Sequence, residues 1–274
     1  MKKLNLILIL GLMLVVFLIW QWPDRKLFLS FCDVGQGDAI LISQGFKQIL
    51  VDGGPDTSVL VCLGKVMPFW DRKIELVVLT HPDADHLTGL IEVVKRYEVG
   101  QLAGMEITNQ TPEYEALADG VAKQKVRLVF VRAGDQIKVG QIRLKVIYPD
   151  QTKSIRGSTN ELATVIEGEF GAFNWLLTSD ITEAEEAELR LLGRLEPVEV
   201  LKVAHHGSKY SSSEAFLKEV RPRLAVISVG KNSFGHPTEE VLERLKQAWV
   251  KVLRTDQQGL IQVVSNGQTW QVKK

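Results

Sequence analysis

Residues 80–89 read Thr-His-Pro-Asp-Ala-Asp-His-Leu-Thr-Gly, with two imidazoles and two carboxylates between His81 and His86. Imidazole and carboxylate together hold divalent cations, and paired carboxylates offset the charge of two of them. A solvated acidic turn would also tolerate these residue types, but the flanking pattern argues for a built site. An apolar run, Ile74 to Leu79, leads into the cluster, and Leu87, Leu90, Ile91 and Val94 then share one helical face. The cluster therefore falls at a strand-to-helix turn, where side chains from several positions can converge. Asp52, Asp180, the pair His205-His206 and His236 are further candidates, most of them just after short apolar runs.

The elements that must position these residues follow from periodicity. Strands are expected at 27–33, 39–42 and 47–51, a helix at 57–67, then a buried strand at 74–79 and a helix at 86–97. A helix begins near Thr111, where Pro112 and Glu113 suit a first turn. Strands follow at 126–131, 136–139 and 142–147, and a polar loop covers 149–160. The second half has strands at 162–167, 173–178, 198–203 and 224–229, helices at 182–191 and 238–248, and closing strands at 251–254 and 260–264. Strands first, then strand–helix alternation, twice over, predict two packed sheets with helices outside.

Six stretches occur in a recognisable order. They are Phe31-Cys32-Asp33-Val34-Gly35-Gln36-Gly37-Asp38, Val51-Asp52-Gly53-Gly54, His81-Xaa-Asp83-Xaa-Asp85-His86, Leu176-Leu177-Thr178-Ser179-Asp180, Val203-Ala204-His205-His206-Gly207-Ser208 and Asn232-Ser233-Phe234-Gly235-His236-Pro237. Together they resemble the metallo-β-lactamase superfamily, and within it the hydrolase domain of ComEC-type DNA-internalisation competence proteins. The resemblance covers roughly residues 27–265. It implies an α/β fold, an αββα sandwich with its site along one edge.

The resemblance also implies ligand roles. His81 and Asp83 would hold one metal, Asp85 and His86 a second, Asp180 would bridge them, and His206 would complete the second site. Asn160 stands where most superfamily members have a histidine, and Asp83 replaces a histidine found in many. Both departures enrich the first site in oxygen, which favours Mn²⁺ slightly over Zn²⁺. Two-metal hydrolysis is the implied chemistry, with Asp85 among the catalytic ligands. Neighbours on an extended segment point opposite ways, so His206 is assigned to metal and His205 to the substrate phosphate or leaving group. The reverse assignment stays open. His236 is a candidate phosphate contact or proton donor. Asp52 is expected to orient a ligating imidazole, with Gln36 and Asp38 also near the cleft.

Composition narrows the function classes. The 274 residues carry 33 Lys or Arg and 33 Asp or Glu, so no global field draws in nucleic acid. Residues 200–274 nevertheless hold twelve basic and six acidic residues, a local surplus that suits a polyanion. No Walker sequence or dinucleotide fingerprint lies at a plausible place. The two cysteines, Cys32 and Cys62, make no zinc knuckle, and Cys32 is expected as a small buried hydrophobe rather than half of a disulfide.

Residues 4–20 are apolar apart from Asn5, with Lys2 and Lys3 before them and Trp20 and Trp22 at their end. No small-residue cleavage site follows, which predicts an uncleaved single-pass membrane helix rather than a signal peptide. The expected organisation is an anchor over 1–26 and a hydrolase domain over 27–274, the latter outside the cytoplasmic membrane. The leading reading is a membrane-anchored phosphodiesterase acting on single-stranded DNA, with a separately encoded membrane channel as a partner. A hydrolase of a small phosphodiester such as a phosphocholine ester, or of a lactam or lactone, is the alternative. A non-catalytic interaction module is the third.

Overall fold

The computed structural model describes residues 24–105, 111–150 and 160–273, together with Asn5, residues 8–13 and Val16. Two sheets stack face to face. Edge to edge, the first runs β15 (Trp270–Lys273), β14 (Ile261–Ser265), β1 (Leu27–Phe31), β2 (Ile40–Gln44), β3 (Lys47–Val51), β4 (Lys73–Leu79), β5 (Glu98–Gly104) and β6 (Arg127–Phe130). The second runs β13 (Lys251–Arg254), β12 (Leu224–Ile227), β11 (Val200–Lys202), β10 (Phe173–Leu177), β9 (Val165–Phe170), β8 (Ile142–Tyr148) and β7 (Gln136–Val139).

Strand alternation sorts the side chains into three layers. Leu76 and Val78 of β4 face the second sheet and join Phe31, Val51, Trp175, Val200 and Val226 in the central core. Val77, between them, faces outward. There it packs with Leu63 of α1 (Ser58–Val66), Leu87 and Leu90 of α2 (Ala84–Arg96) and Leu117 of α3 (Pro112–Gln124). On the far side, Leu176 and Leu201 pack beneath Leu189 of α4 (Glu183–Leu191), Phe216 of α5 (Glu214–Val220) and Leu245 of α6 (Glu239–Gln247). The architecture is the expected αββα sandwich.

The central strands are parallel, β3 to β4 and β10 through β12. Their carboxyl ends open on one edge, and Asp52, His81, Asp180 and His206 all follow these ends. Glycine permits the close packing there. A Cβ on Gly89 of α2 would lie 1.9 Å from the Gly53 carbonyl, so the loop after β3 presses against the helix that begins in the histidine cluster.

Several expectations need correction. α2 begins at Ala84, two residues before the expected start, so Asp85 lies in its first turn rather than before it. Residues 160–162 form a 3-10 turn, and the strand expected from 162 starts at Val165. β5, α5 and β15 were not expected. β5 carries two glycines and little apolar alternation, α5 is only seven residues long, and β15 is a four-residue edge strand. Cys32 and Cys62 form a disulfide, contrary to expectation. Cys32 leaves β1 directly under α1, which carries Cys62, and their Cα atoms are 5.7 Å apart. A separation of 30 residues hides that proximity in the sequence.

Most of the expected membrane segment, 4–20, lies outside the described residues. Asn5, residues 8–13 and Val16 are helical and exposed. Among the described residues, no helix is long and apolar enough to cross a membrane.

Candidate metal centre

One carboxylate sits at the middle of the site. Asp180 follows β10, and its Oδ1 lies 3.5 Å from His86 Nε2 while its Oδ2 lies 3.3 Å from His206 Nε2. Asp85 Oδ2 approaches the same His206 nitrogen at 3.4 Å. Donor atoms of Asp85, His86, Asp180 and His206 all fall within 4.8 Å of one another. Among the described residues, the Nε2 atoms of His81, His86 and His206 are buried and meet no partner at hydrogen-bonding geometry. Buried polar atoms normally find partners. Three imidazole nitrogens left facing two carboxylates fit a divalent cation.

The opposite ring nitrogens are tied down. His86 Nδ1 meets Asp52 Oδ2 at 2.8 Å, and Asp52 also accepts from the Thr80 amide at 2.8 Å and the Thr80 hydroxyl at 2.7 Å. His206 Nδ1 donates to the Ser228 carbonyl at 2.8 Å, which places the free lone pair on Nε2. His81 Nδ1 is near the hydroxyls of Thr80 and Ser179, at 3.1 and 3.2 Å. Fixed outer bonds of this kind orient ligating imidazoles.

Burial and charge set the protonation of the cluster's own groups. Burial alone would raise the Asp180 carboxyl, but His206, His86 and Lys202 outweigh it and hold it well below the usual range. Burial likewise opposes charge on His86, yet Asp180 and Asp52 raise that ring well above an ordinary histidine. Against the same cost, Asp180 and Asp85 raise His206 to about 9. Burial pushes His81 well below the ordinary value, and neighbouring His86 adds to the effect. Asp85 falls to about 2 because His206 and His86 overcome its burial. Filling the site requires neutral imidazoles and so releases protons.

The other expected residues occupy distinct places. Asp83 Oδ2 lies 3.6 Å from His81 Nε2, at the solvent side of the cluster. Asn160 opens the 3-10 turn with its Oδ1 buried and without a partner among the described residues, and the Thr164 amide ties that segment to the Thr80 carbonyl at 3.0 Å. Asp38 is buried beside the cluster, whereas Gln36 accepts from the Gly230 amide at 3.4 Å and braces the loop after β12.

The expectation of an extended His-His pair is overturned. His205 and His206 are consecutive left-handed residues, with φ of 50° and 53°. The backbone curls, and both rings turn toward Asp180: His205 Nε2 is 3.9 Å from the oxygen that His206 approaches at 3.3 Å. Two such residues together cost a few kcal/mol, a strain found where geometry serves a site. The His236 ring is 5.7 Å from that of His205.

Lys202 was missed. Strand alternation turns it inward with Val200, and it is wholly buried. Its Nζ forms a close ion pair with Asp38, donates to the Ser179 carbonyl at 3.0 Å and lies 3.5 Å from Asp180 Oδ1. The signal was available: Lys202 interrupts the apolar run from Val200 to Ala204.

Sandwich, edge site and ligand cluster together define the class. The metallo-beta-lactamase superfamily model matches residues 32–231, and the chain belongs to that superfamily. It is similar to ComE operon protein 3 of Bacillus subtilis (strain 168), at 29% identity over 269 residues, covering 90% of this chain and 34% of that protein. It is also similar to competence protein ComA of Neisseria gonorrhoeae, at 30% identity over 246 residues, covering 88% of this chain and 32% of that protein. The chain thus spans about a third of the length of these relatives. Among solved structures, the metallo-beta-lactamase fold protein YhfI from Bacillus subtilis matches with a TM-score of 0.61 at 12% identity, over 87% of this chain and 99% of that one. That last likeness is one of fold.

Proposed function

We propose that this metallo-hydrolase fold serves a phosphodiesterase that cuts single-stranded DNA, using two divalent metals with Mn²⁺ favoured slightly over Zn²⁺. The observation that carries the reading is the convergence of Asp85, His86, Asp180 and His206, with buried imidazole nitrogens turned toward the carboxylates. Similarity to competence proteins supports DNA as the substrate. Asp85, His86, Asp180 and His206 would hold one metal; His81, Asp83 and Asn160 would hold the other, sharing Asp180. Metals held by these residues would activate water near neutral pH and act as Lewis acids toward the phosphoryl group.

The protein's own groups do the rest. Asp52 and the Ser228 carbonyl fix the ligand rings. Burial lowers His205 and His236 below the ordinary histidine value. An incoming phosphate supplies the opposite charge that raises both again, so either ring can protonate the departing oxygen.

The same reading keeps residues 4–20 as a membrane anchor with the hydrolase domain, 27–274, outside the cytoplasmic membrane, working beside a separately encoded channel. The buried Cys32–Cys62 disulfide supports an oxidising compartment. The test is to incubate the protein with labelled single-stranded DNA, a phosphocholine ester and a β-lactam, each with Mn²⁺ or Zn²⁺. Metal-dependent cutting of DNA in preference to the others is expected. Turnover of the ester or the lactam alone would overturn the assignment.

A further inference from the structure

We infer that Phe234 is a stacking platform for an unpaired base of the substrate strand, set beside the metal cluster. The inference rests on the phosphodiester reading above and specifies its substrate class.

The loop after β12 is built to hold this ring out. Asn232 fastens it with four hydrogen bonds: its Oδ1 accepts from the amides of Phe234 and His236, both at 3.0 Å, and its Nδ2 donates to the carbonyls of Gly230 and His236, both at 2.8 Å. On that fixed backbone Phe234 is 72% exposed. Its ring stacks on His236 with centroids 5.7 Å apart and planes inclined by 28°. His236 in turn lies 5.7 Å from His205, whose Nε2 is 3.9 Å from the central Asp180 carboxylate. A row of rings thus leads from the metal ligands to the surface and ends in an aromatic with no hydrogen-bonding group.

A single exposed apolar residue is ordinary on a protein surface. This one is held rigid and continuous with the site. The adjoining loop carries a second exposed ring: Tyr210 is 63% exposed, with Lys209 Nζ 5.0 Å from its centroid. Its loop is joined to the Phe234 loop by the Thr238 amide, which donates to the Gly207 carbonyl at 2.9 Å. The two loops carry Lys209 and Lys231, and Glu240 lies close enough to Lys209 to share its field. Exposed aromatic faces with cationic neighbours are what a single strand recognises: bases stack and phosphates pair with charge, with little regard to sequence. Bases in a duplex present no free face to such a ring.

Two variants of the full chain, Phe234→Ala and Phe234→Trp, test this with two labelled strands of equal length. One strand carries normal bases, and the other is abasic around the cutting position. The parent should prefer the base-bearing strand in kcat/KM, and Phe234→Ala should lose about 5- to 150-fold of that preference, the equivalent of one stacked base. Phe234→Trp should restore the preference. In EDTA, without turnover, the fluorescence that Phe234→Trp adds over the parent's six tryptophans should be quenched by the base-bearing strand and not by the abasic one. Equal losses on both strands, or quenching by both, would overturn the platform while leaving the phosphodiesterase reading intact. A parent that neither binds nor cuts either strand would overturn both.

Discussion

Lys202 Nζ lies 3.5 Å from Asp180 Oδ1, and both side chains are shut away from water beneath the ligand cluster. The ammonium is therefore a fixed cation next to the carboxylate proposed to bridge two metals. Burial opposes its charge, but Asp38 and Asp180 raise its pKa above an ordinary lysine, so it stays protonated. It offsets two buried carboxylates before any metal arrives.

Replacing Lys202 with methionine should consequently destabilise the metal-free protein by about 3–5 kcal/mol, because Asp38 and Asp180 lose a buried counter-ion. Urea denaturation in EDTA measures this. Excess Mn²⁺ should recover part of the loss, since a cation bound only by the folded state stabilises it. An unchanged midpoint in EDTA would show that the ion pairs carry no net weight.

His205 and His206 should separate in their effects although both rings face Asp180. His206→Ala removes a member of the ligand cluster and should strip metal. His205→Ala should keep its metal and slow cleavage by about 10²–10⁴-fold, the range for a lost proton donor. Elemental analysis and cleavage rates on the same samples decide it, and metal loss only from His205→Ala would reverse the assignment.

Glu186 gives a pH signature away from the metal. It accepts from the amides of Ser212 and Ser213, at the start of α5, yet it is fully buried. Burial raises its pKa from 4.5 to about 7 despite those bonds. The folded state thus holds the proton more tightly than the unfolded chain. That stabilisation is complete below pH 4.5 and is lost as pH rises through about 7, a change of about 3 kcal/mol. Glu186→Gln should remove this portion of the pH dependence. Denaturation midpoints of parent and variant at pH 5 and pH 8 should diverge, and parallel shifts would exclude the effect.

The Cys32–Cys62 bond closes a loop of 30 residues. Loop-closure entropy assigns such a link about 3–4 kcal/mol. Cys62→Ser should lower the unfolding free energy by that amount, and reducing agent should lower the parent's denaturation midpoint while leaving the variant's unchanged. Equal sensitivity of both proteins to reductant would contradict this.

The legible parts of this molecule were local. Apolar alternation and helical spacing marked β1 to β4 and α2, and first-turn residues Pro112 and Glu113 marked α3, because each pattern lies within one element. His81, Asp85 and His86 stood out as a cluster of ionisable residues after an apolar strand, and Asp180 and His206 were marked by the family resemblance of their motifs. Relations set by tertiary packing did not show. Lys202 reads as one polar residue in a strand until its partner Val200 is known to face the central core. The curl at His205-His206 contradicts an extended reading, and only the meeting of both rings at Asp180 explains it. The disulfide depended on α1 folding back over the end of β1, and β5 was hidden by its glycines.

On the proposed function, one carboxylate, Asp180, organises a metal centre that hydrolyses phosphodiesters. The most direct test measures bound Mn²⁺ and cleavage of labelled single-stranded DNA for the parent and Asp180→Ala, side by side. The parent is expected to bind two metal ions and cut the strand. Asp180→Ala should retain at most one ion and lose nearly all cleavage. A variant that binds two ions and cuts DNA at the parent rate would rule out Asp180 as the organising ligand.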